Sequence, residues 1–141
     1  MSVTSRPSAI VTLAAIAGLQ GLLFIGYAVF DVVEAVRVGI TGPAEVSNPA
    51  ALVGLIAITA GFGAGLLWVS WGWWRVRSWA RSPFLVAQIV LGLIGYDFSQ
   101  SGENTQRTIG QALIVVAVVG IVLAFLPSVR RVLDAEESTG N

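Results

Sequence analysis

The charged residues of this chain leave long apolar stretches between them, and these stretches constrain the fold more than any other feature. The uncharged stretches cover 7–30, 46–74, 82–96 and 108–129. A helix needs roughly 20 apolar residues to cross the hydrocarbon core of a bilayer. The sequence therefore predicts an all-α polytopic membrane protein, an up-down-up-down four-helix bundle with spans at about 9–30, 50–72, 82–99 and 109–127.

Composition agrees with a membrane chain and excludes several classes of function. Charged residues make up 11% of the 141 residues, less than half of the roughly 25% typical of soluble domains. The chain has no Cys and no His, which excludes disulfides, thiol chemistry and sites built on imidazole. Its net charge is zero, so it carries no basic field for nucleic acid. We expect no cofactor, no metal site and no nucleic-acid partner.

The third stretch, 82–96, is short for a membrane span. At about 1.5 Å per residue it covers only about 22 Å, so the helix must continue through Asp97. Asp97 then lies either in the headgroup region or, partly buried, on a face toward the bundle. Ser82 suits the N-cap of this helix and Pro83 its first position. Pro127 is expected to end the fourth span.

Arginine distribution predicts the orientation. Arg37 and Arg107 fall on one side of the spans, and the other six Arg residues fall on the opposite side. Those six are Arg6, Arg75, Arg77, Arg81, Arg130 and Arg131. The positive-inside rule then places both termini in the cytoplasm. Domain boundaries follow: a transmembrane domain over 1–132 and a polar cytoplasmic tail over 133–141, which we expect to be disordered.

Tryptophan and arginine alternate at the predicted cytoplasmic surface. All five Trp residues lie at the end of the second span or in the loop after it: Trp68, Trp71, Trp73, Trp74 and Trp79. Tryptophan favours the headgroup level of a bilayer. The expected interfacial anchors are Trp74, Arg75, Arg77, Trp79 and Arg81. Specific binding of anionic lipid headgroups is the alternative interpretation of this segment.

Small residues predict close helix packing. The second span carries Ala57, Gly61 and Gly65 at four-residue intervals, and the first and fourth spans carry similar pairs. Helices in lipid associate through such ridges because their backbones can approach closely. We expect spans one and two to be in close contact. The Gly61 face packs either inside the chain or against another protomer or a membrane-protein partner.

Polar residues on the first helix form the main candidate ligand site. Gln20, Tyr27, Asp31 and Glu34 share one helical face, running from mid-membrane to the rim. Together with Asp97 they would suit a cation or a polar headgroup. The alternative is that the acids are solvated boundary residues, with Arg37 pairing with Glu34.

Two amides lie deep in the predicted spans, Gln20 in the first and Gln88 in the third. Such amides typically form hydrogen bonds between helices, and a substrate path is the alternative. No Asp, Glu or Arg lies at the centre of any span. The missing central charge argues against a self-sufficient proton-driven transporter.

The segment Arg77-Ser-Trp79-Ala80-Arg81-Ser-Pro83, with Gln88 after it and Leu126-Pro127-Ser-Val-Arg130-Arg131 near the end of the chain, resembles a group of small four-span integral membrane proteins of actinobacteria. Glu34, near the end of the first helix, is also similar to that group. The group is of uncharacterised function. The resemblance implies the four-span fold and a bacterial plasma membrane, and it implies no catalytic residue.

These features favour a non-enzymatic accessory, assembly or interaction component of the membrane. A binding or transport component for a lipid or small amphiphile, using the polar stripe of the first helix, is the alternative. A membrane enzyme acting on lipid headgroups through Asp31, Glu34 or Asp97 is a third, less favoured class.

Overall fold

The computed structural model describes residues 6–39 and 48–140. Helices α1 and α2 cover Ser8–Val38 and Pro49–Trp74, and a 3₁₀ turn at Ser78–Ala80 leads into α3. The remaining helices are α3 at Arg81–Ser99, α4 at Asn104–Ala124 and α5 at Pro127–Thr139. Four segments are long and apolar enough to cross a membrane, and they match the four predicted spans. The all-α, four-span bundle is confirmed.

Local sequence explains where the first two helices meet their loop. Gly39 follows α1 with a φ of 76°, a conformation that glycine adopts without strain. The side chain of Asn48 accepts a hydrogen bond of 3.0 Å from the N–H of Ala50, so it caps α2, and Pro49 occupies the first helical position. At 31 residues, α1 is about 46 Å long, longer than the roughly 30 Å hydrocarbon core. Glu45, the one acid in the sequence between the two helices, lies outside the described residues.

Glycines allow α1 and α2 to approach as an antiparallel pair. A Cβ placed on Gly63 would lie 2.9 Å from the carbonyl oxygen of Gly21, and one on Gly21 would lie 2.8 Å from that of Gly63. Two turns along each helix, the Ser70 hydroxyl donates a 2.7 Å hydrogen bond to the Ala14 carbonyl. The predicted close contact between the first two spans is therefore present, with Gly63 and Ser70 at the crossing.

A second glycine crossing joins α3 to α4. A Cβ on Gly95 would lie 2.7 Å from the Gly110 carbonyl oxygen, and one on Gly110 would lie 2.5 Å from that of Gly95. The protein is thus two helical hairpins, each closed by contact between glycine backbones.

The two hairpins meet chiefly at one end, which we call the arginine-rich end because it carries Arg6, Arg75, Arg77, Arg81, Arg130 and Arg131. The main apolar cluster lies there and draws residues from α1, α2, α3, α4 and α5. Trp73 and Phe84 are fully buried at its centre and pack edge to face, with ring centroids 5.7 Å apart.

The tail differs from the sequence prediction. Residues 133–139, expected to be disordered, belong to helix α5, so that prediction was wrong for this segment. Val129 and Leu133 are buried in the apolar cluster, and this contact gives a short polar helix the tertiary support it needs. Pro127 begins α5, whereas α4 ends at Ala124, three residues earlier than the sequence suggested. Asn141 lies outside the described residues.

The start of α3 also differs slightly from expectation. The helix begins at Arg81, directly after the 3₁₀ turn, and Ala80 takes the N-cap position expected for Ser82. Pro83 accordingly lies in the first turn, where its missing N–H costs no helical hydrogen bond. At the other end of α3, Asp97 is exposed.

Two glycines on one helix provide a direct test of this packing. We predict that Gly63→Ala destabilises the bundle by about 1–3 kcal/mol, since its Cβ would meet backbone atoms of α1. Gly61→Ala should be nearly neutral, because a Cβ there meets nothing within 4 Å. Unfolding of each purified variant in mixed micelles with increasing SDS measures the difference. Equal effects of the two substitutions would contradict the assigned face of α2.

Candidate functional site

A reciprocal pair of amides lies at the centre of the bundle. Gln88 donates from Nε2 to Oε1 of Gln20 at 2.8 Å, and Gln20 donates from Nε2 to Oε1 of Gln88 at 3.2 Å. Both side chains are buried, with 0% of Gln88 and 7% of Gln20 exposed. Gly120 of α4 makes room for the pair, since a Cβ there would lie 3.3 Å from the Gln88 side chain. The pair therefore links α1 to α3, and so one hairpin to the other.

This pairing takes Gln20 out of the polar stripe predicted on α1. Tyr27 is 58% exposed, Glu34 and Asp97 are exposed, and Asp31 is half-buried. One carboxylate oxygen of Asp31, Oδ2, is buried and has no hydrogen-bond partner within the described residues. Within the described ranges, no hydrogen bond or salt bridge joins the stripe residues to Asp97. The structure thus separates the deepest residue of the stripe from those near the rim.

The segment after α2 has a defined backbone. The N–H of Arg77 donates to the Gly72 carbonyl, and that of Val76 donates to the Trp73 carbonyl, both at 2.9 Å. These two bonds form a Schellman motif. Val76 occupies its left-handed position with a φ of 56°, a strained conformation for a β-branched residue. Its side chain packs against the apolar cluster, which helps to hold this turn.

Arginine side chains of this end contact aromatic rings. The Arg6 guanidinium lies 4.7 Å from the Trp74 ring centroid, and that of Arg75 lies 5.2 Å from the Trp71 ring centroid. Arg81 is 4.7 Å from the ring of Phe125. Stacking of this kind positions a cation over an aromatic face and leaves its outer N–H groups free to bind an anion.

Helix α5 also contacts the segment that follows α2. Glu136 accepts from Nη1 of Arg77 at 3.3 Å and from the backbone N–H of Ser78 at 3.4 Å. Trp79 packs on Trp68, with ring centroids 5.1 Å apart, and lies over Gly72. Among the predicted anchors, Arg77 is thus part of an ion pair, and Trp74 and Trp79 remain exposed.

One tryptophan departs from the predicted interfacial belt. Trp73 is fully buried, and its Nε1 has no hydrogen-bond partner among the described residues. The other four tryptophans are between 39% and 64% exposed. Sequence clustering could not separate Trp73 from its neighbours. Trp73 shares the buried face of α2 with Gly63, Leu66 and Val69, but the helix is apolar on all sides, so no sequence signal marks that face.

The small-residue ridge of α2 points away from the packed interior. A Cβ on Gly61 or Gly65 would meet nothing within 4 Å, and Gly54, one step earlier on the same face, is equally open. Gly61 and Gly65 form one wall of a groove of about 350 Å³ between α2 and α3, and Pro83 and Ala87 lie on the facing side. The ridge therefore borders a gap between the two hairpins on this side of the bundle.

Comparison with known proteins gives no family for this chain. No protein-family model, no curated protein and no solved structure matches it. Across residues 6–39 and 48–140, no three acidic side chains lie close enough together to hold a metal ion.

The amide pair can be tested by a double-mutant cycle. We predict that Gln20→Leu and Gln88→Leu each destabilise the bundle by about 1–2 kcal/mol, because each leaves the other amide buried and unpaired. The double variant should lose less than the sum of the two single losses, because it leaves no unpaired amide. Unfolding in SDS mixed micelles measures all four proteins, and strictly additive losses would contradict a direct pair.

Proposed function

We propose that this chain is a non-enzymatic accessory component of a bacterial plasma membrane, which binds a transmembrane helix of another membrane protein along its α2 ridge. The ridge consists of Gly54, Ala57, Gly61 and Gly65, spaced at three, four and four residues on α2. The proposal keeps both termini on the cytoplasmic side, which the excess of Arg at that end supports.

The observation that carries this proposal is the open space beside Gly61 and Gly65. At a glycine that permits contact inside the chain, an added Cβ would collide with neighbouring backbone. At Gly63, for example, it would lie 2.9 Å from the Gly21 carbonyl oxygen. Gly61 and Gly65 have no such neighbour, so intrachain packing does not require them to be small. A ridge of small residues facing lipid is the surface on which a further helix packs most closely.

The adjoining groove strengthens the argument. Gly61 and Gly65 lie across the groove from Pro83 and Ala87, and the rest of its lining is apolar: Phe62, Leu66, Trp68, Val69 and Trp79. A helix lying there would contact both hairpins at once. The partner helix would then fill the groove between α2 and α3 and pack against the small residues there.

We predict that a photo-crosslinking residue placed at Ile58, which is 73% exposed beside the ridge, captures one protein in stoichiometric yield in the native membrane. Adding Gly61→Leu should reduce that yield by about tenfold or more, because the leucine side chain prevents close backbone approach. Mass spectrometry of the adduct identifies the captured chain and separates a different protein from a second copy.

Gly26→Leu is the matched control. Gly26 is also exposed and open, but it lies on α1, and the residues one turn before and after it, Leu22 and Phe30, are large. It should leave the crosslink unchanged. A crosslink that survives Gly61→Leu, or one of equal yield from Val118 on α4, would contradict the proposal, and an adduct with a second copy would replace the accessory role with self-association.

A further inference from the structure

A second groove, on the opposite side of the first hairpin, runs between α1 and α2 and holds about 510 Å³. Its floor is made of small residues, namely Ala14, Ala15, Gly18 and Ser70. The Ser70 hydroxyl is already bonded to the Ala14 carbonyl, so the floor offers no free donor and is effectively apolar. The walls are Val11, Leu19, Leu22, Leu67, Trp71 and Trp74.

The length of this groove matches one leaflet of a bilayer. Its α1 wall extends from Val11 to Leu22, which at 1.5 Å per residue is about 16 Å. Half of the hydrocarbon core is about 15 Å thick. An acyl chain lying in the groove would therefore reach from the headgroup level at the arginine-rich end to about the middle of the membrane.

Two cationic side chains, Arg6 and Arg75, lie at the level where the headgroup of such a lipid would be. Arg6 is stacked on Trp74 and Arg75 on Trp71, and both indoles form the groove's wall at the arginine-rich end. Trp71 and Trp74 are three residues apart and so adjacent on the surface of α2. In the part of the chain that the structure describes, neither Arg6 nor Arg75 forms a salt bridge, whereas Arg77 is held by Glu136.

We propose that this groove is a binding site for an anionic phospholipid of the leaflet at the arginine-rich end. One acyl chain lies over Ala14, Ala15 and Gly18, and the phosphate is bound by the guanidinium groups of Arg6 and Arg75. The stacked indoles hold both guanidiniums at the headgroup level before the lipid arrives, so little side-chain entropy is lost on binding. This site is separate from the α2 ridge, and it stands whether or not the ridge binds a partner.

The test is a competition between two lipids with identical acyl chains, phosphatidylglycerol and phosphatidylcholine, presented in equal amounts to the purified protein. Native mass spectrometry counts the retained lipids. We expect phosphatidylglycerol to be retained in preference by at least about fivefold, the contribution of a single basic residue near an anionic surface. Arg6→Gln combined with Arg75→Gln should reduce that preference to about one.

Two matched controls separate a built site from general surface charge. Arg130→Gln with Arg131→Gln removes two exposed cations of α5 that do not line the groove, and it should leave the preference unchanged. Ala15→Phe fills the groove without altering charge and should remove the retained lipid, whereas Val118→Phe, on the exposed surface of α4, should not.

Absence of any preference in the wild-type protein would overturn the proposal, as would equal losses from the two pairs of Arg variants. Retention of phosphatidylglycerol by Ala15→Phe would place the lipid elsewhere and overturn it too. Should a variant fail to fold, wild-type protein still decides: brominated phosphatidylglycerol must quench tryptophan fluorescence more than brominated phosphatidylcholine does, since Trp71 and Trp74 border the groove.

Discussion

Contact between glycine backbones is the constraint on which the rest of this bundle depends. Lipid is as apolar as a leucine side chain, so helices gain little from burying one another and must instead pack at very short range. Gly21 against Gly63 closes the first hairpin, and Gly95 against Gly110 closes the second. Two further contacts join the closed hairpins to each other: the amide pair at the centre and the apolar cluster around Trp73 at one end.

This hierarchy explains why the two available surfaces lie where they do. Hairpins that are closed internally and joined mainly at one end leave α2 and α3 apart along one side, and the groove beside Gly61 and Gly65 is the result. Alanine, glycine and serine also allow α1 and α2 to approach closely. Because these small side chains leave space unfilled, a groove remains on the outer side of the pair. Helix α5 covers the end of the bundle and, through Glu136, holds the turn that carries Arg77.

Sequence alone predicted the spans well, because a helix that crosses the hydrocarbon core needs an uncharged stretch of about that length. It also indicated that Gln20 and Gln88 would form hydrogen bonds between helices. It did not identify the face of α2. That helix is apolar on all sides, so no polar stripe marks its exterior, and Gly61, Gly63 and Gly65 are indistinguishable in hydropathy. Only the positions of α1 and Trp73 distinguish them. Helix α5 was missed because its charged sequence suits a solvated tail, and the two buried residues that dock it, Val129 and Leu133, are visible as a pair only once the helix is known.

The Gly61 face of α2 is turned outward and the Gly63 face inward, and both proposed surfaces depend on this assignment. The chain contains no cysteine, so single spin labels can be placed along α2 without removing any native residue of that type. The most direct measurement is the accessibility of each label to dissolved oxygen in nanodiscs holding the purified protein alone. This assignment of the faces of α2 predicts high accessibility at Ile58 and Trp68 and low accessibility at Leu66 and Val69, which are 2% and 5% exposed. The reverse pattern, with labels beside Gly61 protected and Leu66 open to lipid, would contradict it.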